Sequence, residues 1–249
     1  MSGHSKWSTI KHKKARLDAK RGKNWSKLAR AVTMAAKAGG GNPQDNPRLR
    51  LAIDKAKGDN MPKDTIEKAV KKGTGEIEGV EYEEINYEGY GPAGVAILCR
   101  VVTDNRNRTA AEIKKIFERA GGNLGASNCV AWMFSAKGVF TIPAGDVSED
   151  RLMETALEAS AEDVTSSELV HEVTCAPDQY ESVKAALQQA DLPIDSADVA
   201  NIASTSVTCD LSTAKKVLHL IETLEEHDDV ESVSSNFDIP DDVLKQLSS

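Results

Sequence analysis

The sequence predicts an α+β multidomain protein: an N-terminal basic helical bundle followed by two α/β (ferredoxin-like) domains, one inserted in the other. Three observations lead there. Charge is segregated: residues 1–73 carry 19 Lys and Arg against 6 Asp and Glu, and residues 74–249 carry 12 against 33. The apolar period is helical up to Gly73 and then switches to short strands alternating with helices. A glycine-rich, acidic hinge, GTGEIEG, stands at the change. A chain of 249 residues has room for one to three domains. The expected division is 1–76, then 77–136 together with 204–249, with 137–203 inserted.

The helical part builds in order. Trp25, Leu28, Ala29, Val32, Ala35 and Ala36 recur at helical spacing, and Gly39 to Gly41 end that helix. Asn46 followed by Pro47 reads as an N-cap with proline at the first helical position. Leu49, Ala52, Ile53 and Ala56 form the next apolar stripe, and Ile66, Ala69 and Val70 a last short one. Beyond the hinge, 82–88 and 95–102 read as a hairpin. Thr109 and Glu112 read as a capping box for a helix carrying Ile113, Ile116 and Phe117. Strands are expected at Cys129 to Phe134 and at Gly138 to Ile142. Ser148 caps the next helix, two strands follow near 162–167 and 169–175, and Pro177 opens another helix. A strand within 194–202, another at 205–210, a helix capped by Ser212 and a strand ending near Phe237 complete the chain. The stretch 138–202 thus reads β-α-β-β-α-β, a ferredoxin-like unit.

Several function classes find no support. No apolar run approaches a membrane span, and the basic N-terminus has no apolar core of a secretory signal behind it. The chain therefore reads as cytoplasmic. Gly89-Tyr-Gly91-Pro-Ala-Gly94 spells a dinucleotide fingerprint, but strand-forming residues follow it where a helix would have to begin, so it reads as a hairpin turn. The five histidines fall in no metal-ligand spacing, and the four cysteines, all expected on strands, form no zinc or disulfide pattern. Acidic pairs such as Glu225-Glu226 and Asp228-Asp229 read as solvated faces. No catalytic constellation stands out; no cofactor, no metal and no enzymatic activity are expected.

Two features carry a binding reading. Lys6, Lys11, Lys13, Lys14, Arg16, Lys20, Arg21 and Lys23 crowd the N-terminus and offer phosphate contacts, whose affinity would fall steeply with salt. Trp7 and His12 sit among them and could stack on unpaired bases, although Trp7 fits equally a role packing back on the bundle. Arg48 and Arg50 could reach base edges, yet nothing around them marks a helix-turn-helix. The second feature is Thr103-Asp-Asn-Arg106-Asn-Arg108-Thr109, between a strand and a helix. Arg106 and Arg108 beside free helix N–H groups could hold an anion; alternatively, they bridge to acidic neighbours.

The same residues carry a family resemblance. GHSKW at 3–7, KHKKARLDAKRGK at 11–23, DNPRLRLAIDKAK at 45–57, NMPKDTIEKAVKKGTG at 60–75, YEGYGPAGVA at 87–96, TDNRNRT at 103–109 and GGNLGASNCVAWMFSAKGVF at 121–140 closely resemble the YebC/PmpR family. That family includes the mitochondrial translational activator of cytochrome c oxidase. GPAG at 91–94 stands where GPGG is common, and ASNC at 126–129 replaces a more acidic stretch. The resemblance implies a three-domain protein, described for some members as a DNA-binding transcriptional regulator and for others as a ribosome-associated translation factor. It maps nucleic-acid contacts onto the N-terminal cations and adds the loop with Met61 and Lys63.

The combined expectation is a non-enzymatic, nucleic-acid-binding regulator of gene expression. Charge without a recognition helix favours RNA or the ribosome over duplex DNA. Protein partners are expected on the acidic α/β face. The competing expectation is a protein-interaction module whose basic domain docks on acidic protein surfaces.

Overall fold

The computed structural model describes residues 21–248. Three helices come first: α1 (Arg21–Gly39), α2 (Pro47–Gly58) and α3 (Lys63–Gly73). Their shared core is Val32, Ala35, Ala36, Leu49, Ala52, Ala56, Met61, Ile66 and Ala69, with Trp25 and Leu28 packed at its edge. Small side chains let the helices approach closely; a Cβ on Gly73 would collide with the carbonyl of Thr33. Asn46 is buried and joins two helices. Its amide donates to the carbonyls of Ala35 (2.8 Å) and Gly40 (2.9 Å), and its Oδ1 accepts from the Leu49 N–H at 3.0 Å. The expected Asn46 cap and Pro47 start are both present.

The first sheet has the order β3-β1-β2-β9, from β1 (Glu83–Tyr90), β2 (Ala96–Thr103), β3 (Asn123–Leu124) and β9 (Val230–Ser235). β1 and β2 form the expected antiparallel hairpin, in register Glu83 to Thr103 and Tyr90 to Ala96. The glycine-rich turn therefore joins two antiparallel strands. α4 (Arg106–Arg119), α7 (Leu211–Glu226) and α8 (Asp241–Ser248) cover one face of this sheet. Ile97, Cys99 and Val101 from β2 meet Ile113 and Phe117 of α4 and Val217, Leu220, Ile221 and Leu224 of α7 there. A short parallel pair, β8 (Val207–Thr208) with β10 (Phe237–Asp238), closes the end.

The second sheet has the order β5-β6-β4-β7 and is antiparallel throughout. Its strands are β4 (Phe134–Pro143), β5 (Asp163–Ser166), β6 (Val170–Cys175) and β7 (Ser196–Ala203). α5 (Glu149–Glu158) and α6 (Tyr180–Gln189) pack on one face through Leu152, Ala156, Val183 and Leu187 against Phe140, Ile142 and Val173. Numbered within this unit, the strand order is 4-1-3-2, the ferredoxin-like arrangement. Entry and exit are adjacent, because the Ser204 N–H donates to the Met133 carbonyl at 2.8 Å.

Four expectations are corrected. Cys129 to Phe134 is no strand: Ala131–Met133 is a 3-10 turn and β4 begins at Phe134. The reason is the buried Glu88 carboxylate, which takes the N–H groups of Asn128 (2.7 Å), Val130 (2.8 Å) and Ala131 (2.7 Å). Those donors are then lost to any ladder. Cys129 accordingly lies in a loop and Cys209 beyond β8; only Cys99 and Cys175 sit within strands. The capping box is also wrong. α4 starts four residues earlier, with Asn105 accepting from the Arg108 N–H at 3.1 Å. Likewise Asp210, not Ser212, caps α7, accepting from the Thr213 N–H at 2.8 Å. α8 is an element the sequence reading missed.

Candidate nucleic-acid interface

Of the expected site residues, Lys6, Trp7, Lys11, His12, Lys13, Lys14, Arg16 and Lys20 lie outside the described residues. Arg21 and Lys23 fall in the first turn of α1, with their side chains outside the description. Apart from Lys37, which donates to the Tyr82 carbonyl at 3.5 Å, the cations of the helical part with described side chains divide into two groups. Lys27, Arg30, Arg48, Arg50 and Lys55 turn toward the chain's own acidic half. Lys27 donates to the Glu225 carbonyl. Arg48 pairs with Glu84 at 2.5 Å, Arg50 with Glu181 at 3.4 Å and Lys55 with Asp198 at 2.6 Å. Glu84 also lies 3.5 Å from Arg100, which pairs with Glu231 at 2.8 Å, so charges alternate across the outer face of the first sheet.

The second group faces solvent. Among the described residues, Lys57 and Lys63 make ion pairs only within their own helices, with Asp54 at 3.9 Å and Glu67 at 3.6 Å. Lys68, Lys71 and Lys72 on α3 are exposed and form no ion pair among the described residues. Such lysines keep their hydrated charge available to a polyanion.

Arg30 makes several bridging contacts at once. Its guanidinium donates to Asp229 Oδ1 and to the Asp228 carbonyl, both at 2.9 Å, and lies over the Tyr82 ring. Asp229 is buried and is filled from all sides. Thr109 Oγ1 (2.6 Å), Arg108 Nη2 (2.9 Å) and Thr103 Oγ1 (3.0 Å) meet its other oxygen. Burial by itself would raise the Asp229 pKa. The bonds from Thr109, Arg108 and Thr103, with the Arg108 charge, more than offset it and hold the carboxyl below its ordinary 3.8. The cleft beside this clasp, of about 660 Å³, is lined by both signs, including Lys115 and Arg119 against Glu226 and Asp228. Charge so balanced does not make a phosphate pocket.

The reading of Asp228-Asp229 as a solvated pair is therefore half wrong: Asp228 is exposed, but Asp229 is an interior hub. Nothing in the local sequence separates the two, because the partners lie 120 to 199 residues away. In the 103–109 segment the two open alternatives divide between the arginines. Arg108 bridges Asp104 (2.8 Å) and Asp229, which is the acidic-neighbour alternative. Arg106 is exposed at the start of α4, with no ion pair among the described residues. The loop with Met61 and Lys63 also divides. Met61 is 5% exposed and belongs to the helical core, which corrects its assignment to a binding surface. Its neighbour Lys63 is open to solvent. Arg48 and Arg50 are half-buried in ion pairs rather than extended toward a groove.

Among the described residues no group of His, Cys, Asp and Glu is arranged to hold a metal ion, and no helix is long and apolar enough to cross a membrane.

Comparison with known proteins supplies the relationship. A family model described as the TACO1/YebC protein N-terminal domain matches residues 5–76, and one described as the TACO1/YebC second and third domain matches 82–237. A probable transcriptional regulatory protein of Dictyoglomus turgidum is 54% identical over the whole of both chains. One of the same description from Halothermothrix orenii is 52% identical over 99% of each. The crystal structure of a conserved hypothetical protein from Aquifex aeolicus superposes with a TM-score of 0.80 at 48% identity, covering 91% of this chain and 93% of that one. Motifs, sheet order and full-length identity agree, and the chain belongs to the TACO1/YebC family.

Proposed function

We propose that this protein is a non-enzymatic regulator of gene expression that grips nucleic acid through its basic helical domain. The observation that carries the reading is the partition of charge: a net of +13 in residues 1–73 against −21 in 74–249. The described cations support it further. Those on one side of the helical domain are neutralised by the chain's own acids, whereas Lys68, Lys71 and Lys72 on α3 form no ion pair among the described residues. Internal docking therefore orients the domain and leaves a separate basic surface outward. The regulatory role agrees with the names of the relatives. The acidic half repels a polyanion and so restricts contact to one end of the molecule.

Within that role we favour structured RNA or the ribosome over promoter DNA. Arg48 and Arg50, the arginines best placed in sequence for base readout, are held in ion pairs, and the remaining described cations of the helical domain are mostly lysines suited to phosphates. Lys13, Lys14 and Arg16 supply the main grip and Arg106 an outlying contact. Both targets place the protein in the cytoplasm. Equilibrium competition at physiological salt tests the target: ribosomal RNA fragments should displace promoter duplex, and a strong preference for one duplex would reverse the assignment. Charge reversal of Lys13, Lys14 and Arg16 together should abolish binding of the full chain while leaving its thermal melt unchanged. Undiminished binding by that variant would place the grip elsewhere.

A further inference from the structure

The two ends of the first sheet are chemically opposite. β2 runs from Ala96 to Thr103, a distance of about 23 Å at the ordinary rise of a strand. The Asp229 clasp holds the Thr103 end. At the Ala96 end four segments converge: 89–99, 121–136, 200–209 and 232–237. None of them contains Asp, Glu, Lys, Arg or His, in a chain that is 28% charged. Hydrogen bonds knit them into one surface. Ser204 N–H donates to the Met133 carbonyl, Ala96 N–H to Asn236 Oδ1 and Val207 N–H to the Asn236 carbonyl, at 2.7 to 2.8 Å.

Trp132 stands on this neutral end with 72% of its surface exposed. It is nevertheless held in place. Its indole N–H donates to the Cys129 carbonyl at 3.1 Å, and the Tyr90 hydroxyl donates to the same oxygen at 3.1 Å. The Glu88 carboxylate fixes the backbone on both sides of Cys129 through three N–H groups. Close packing leaves the loop little room: a Cβ on Gly122 would lie 2.5 Å from the Tyr90 carbonyl oxygen. The one polar atom of the ring is thus satisfied internally, and its apolar surface is offered to solvent. Holding an indole largely in water forgoes most of the burial energy such a side chain otherwise supplies.

We infer that this neutral end is a protein-docking surface anchored by Trp132. Its partner presents an uncharged segment, with an apolar or aromatic side chain against the indole and polar groups for the surrounding amides and hydroxyls. The cores of protein interfaces are depleted of charge and enriched in tryptophan, and a pre-ordered anchor lowers the cost of association. A nucleic acid fits poorly. Phosphates need cations, these segments hold none, and the half of the chain around them carries a net of −21. The inference stands independently of the nucleic-acid reading and puts the two binding surfaces at different ends of the molecule.

The test uses the full chain and two variants, Trp132→Ala and Trp132→Phe. Each is screened against a displayed library of random peptides, and the enriched peptide is synthesised and titrated at low and high salt. The wild type should select a charge-poor consensus whose affinity barely responds to salt. Trp132→Ala should weaken it about tenfold or more, and Trp132→Phe should retain most of it. An exposed ring leaves the fold intact when removed, which a thermal melt checks. No consensus above the Trp132→Ala background, or a charged and salt-sensitive one, overturns the inference. So does an equal loss of oligouridylate binding in Trp132→Ala, which would make the surface a base-stacking platform. A dimer in sedimentation that Trp132→Ala dissolves would also overturn it, giving the surface to a second copy of the chain.

Discussion

Two buried carboxylates organise this molecule, by different means. Asp229 draws side chains from three directions and joins the helical domain to the sheet. Glu88 draws backbone N–H groups and shapes a loop. Burial would raise the Glu88 pKa, but the Val130, Asn128 and Ala131 N–H groups hold it below its ordinary 4.5. Both groups are depressed in the folded state. Their stabilisation is therefore complete above the unfolded carboxyl range, near pH 4, and is lost as pH falls through the folded values. Melting temperature should drop on acidification below about pH 4. Asp229→Asn should flatten that drop while costing about 2–4 kcal/mol at neutral pH, since Arg30 and Arg108 lose their shared partner. An unchanged pH profile in denaturation of the variant would remove Asp229 from this role. Glu88→Gln keeps one acceptor oxygen but sets its amide N–H2 against at least one of the three N–H donors, and should cost about 2–4 kcal/mol, with faster hydrogen exchange confined to 126–133. Exchange rates matching the wild type would contradict the locking role.

At the level of elements, local rules work where the structure is local. The β1–β2 hairpin, the Asn46 cap and the apolar stripes of α1 to α3 were legible because neighbouring residues determine them. The ferredoxin-like order was legible from alternating strand and helix patterns. Two of the errors fall where a distant group wins. Cys129 to Phe134 is rich in strand-formers, yet Glu88, some forty residues earlier, takes its donors. Thr109 looks like a helix cap, but its hydroxyl serves Asp229. α8 carries local signals of its own: Pro240 and two acids mark its start and Val243, Leu244 and Leu247 its apolar side. Those were readable signals. The Asn46 bridge gives the sharpest prediction at this scale. Asn46→Ala loses a cap and removes the side-chain donor shared by the Ala35 and Gly40 carbonyls, and should destabilise the helical domain by about 2–3 kcal/mol in denaturant unfolding. A loss confined to a few tenths would mean that water replaces the side chain.

On the scale of the whole molecule, the charge partition visible in the sequence has two structural meanings. Part of it is consumed internally, since Lys27, Arg30, Arg48, Arg50 and Lys55 reach the chain's own acidic half. Composition alone could not divide these cations from Lys68, Lys71 and Lys72, because the division depends on which helix faces meet the sheets. What stays outward is a basic surface at one end, a clasp that fixes its orientation, and an uncharged end carrying Trp132. The measurement that bears most directly on this arrangement is the salt dependence of RNA binding by the full chain. The logarithm of affinity should fall steeply and linearly with the logarithm of salt. Reversing Lys68, Lys71 and Lys72 should make that slope shallower by about two or three phosphate contacts. A flat response, or no binding to RNA or duplex at low salt, would contradict the account.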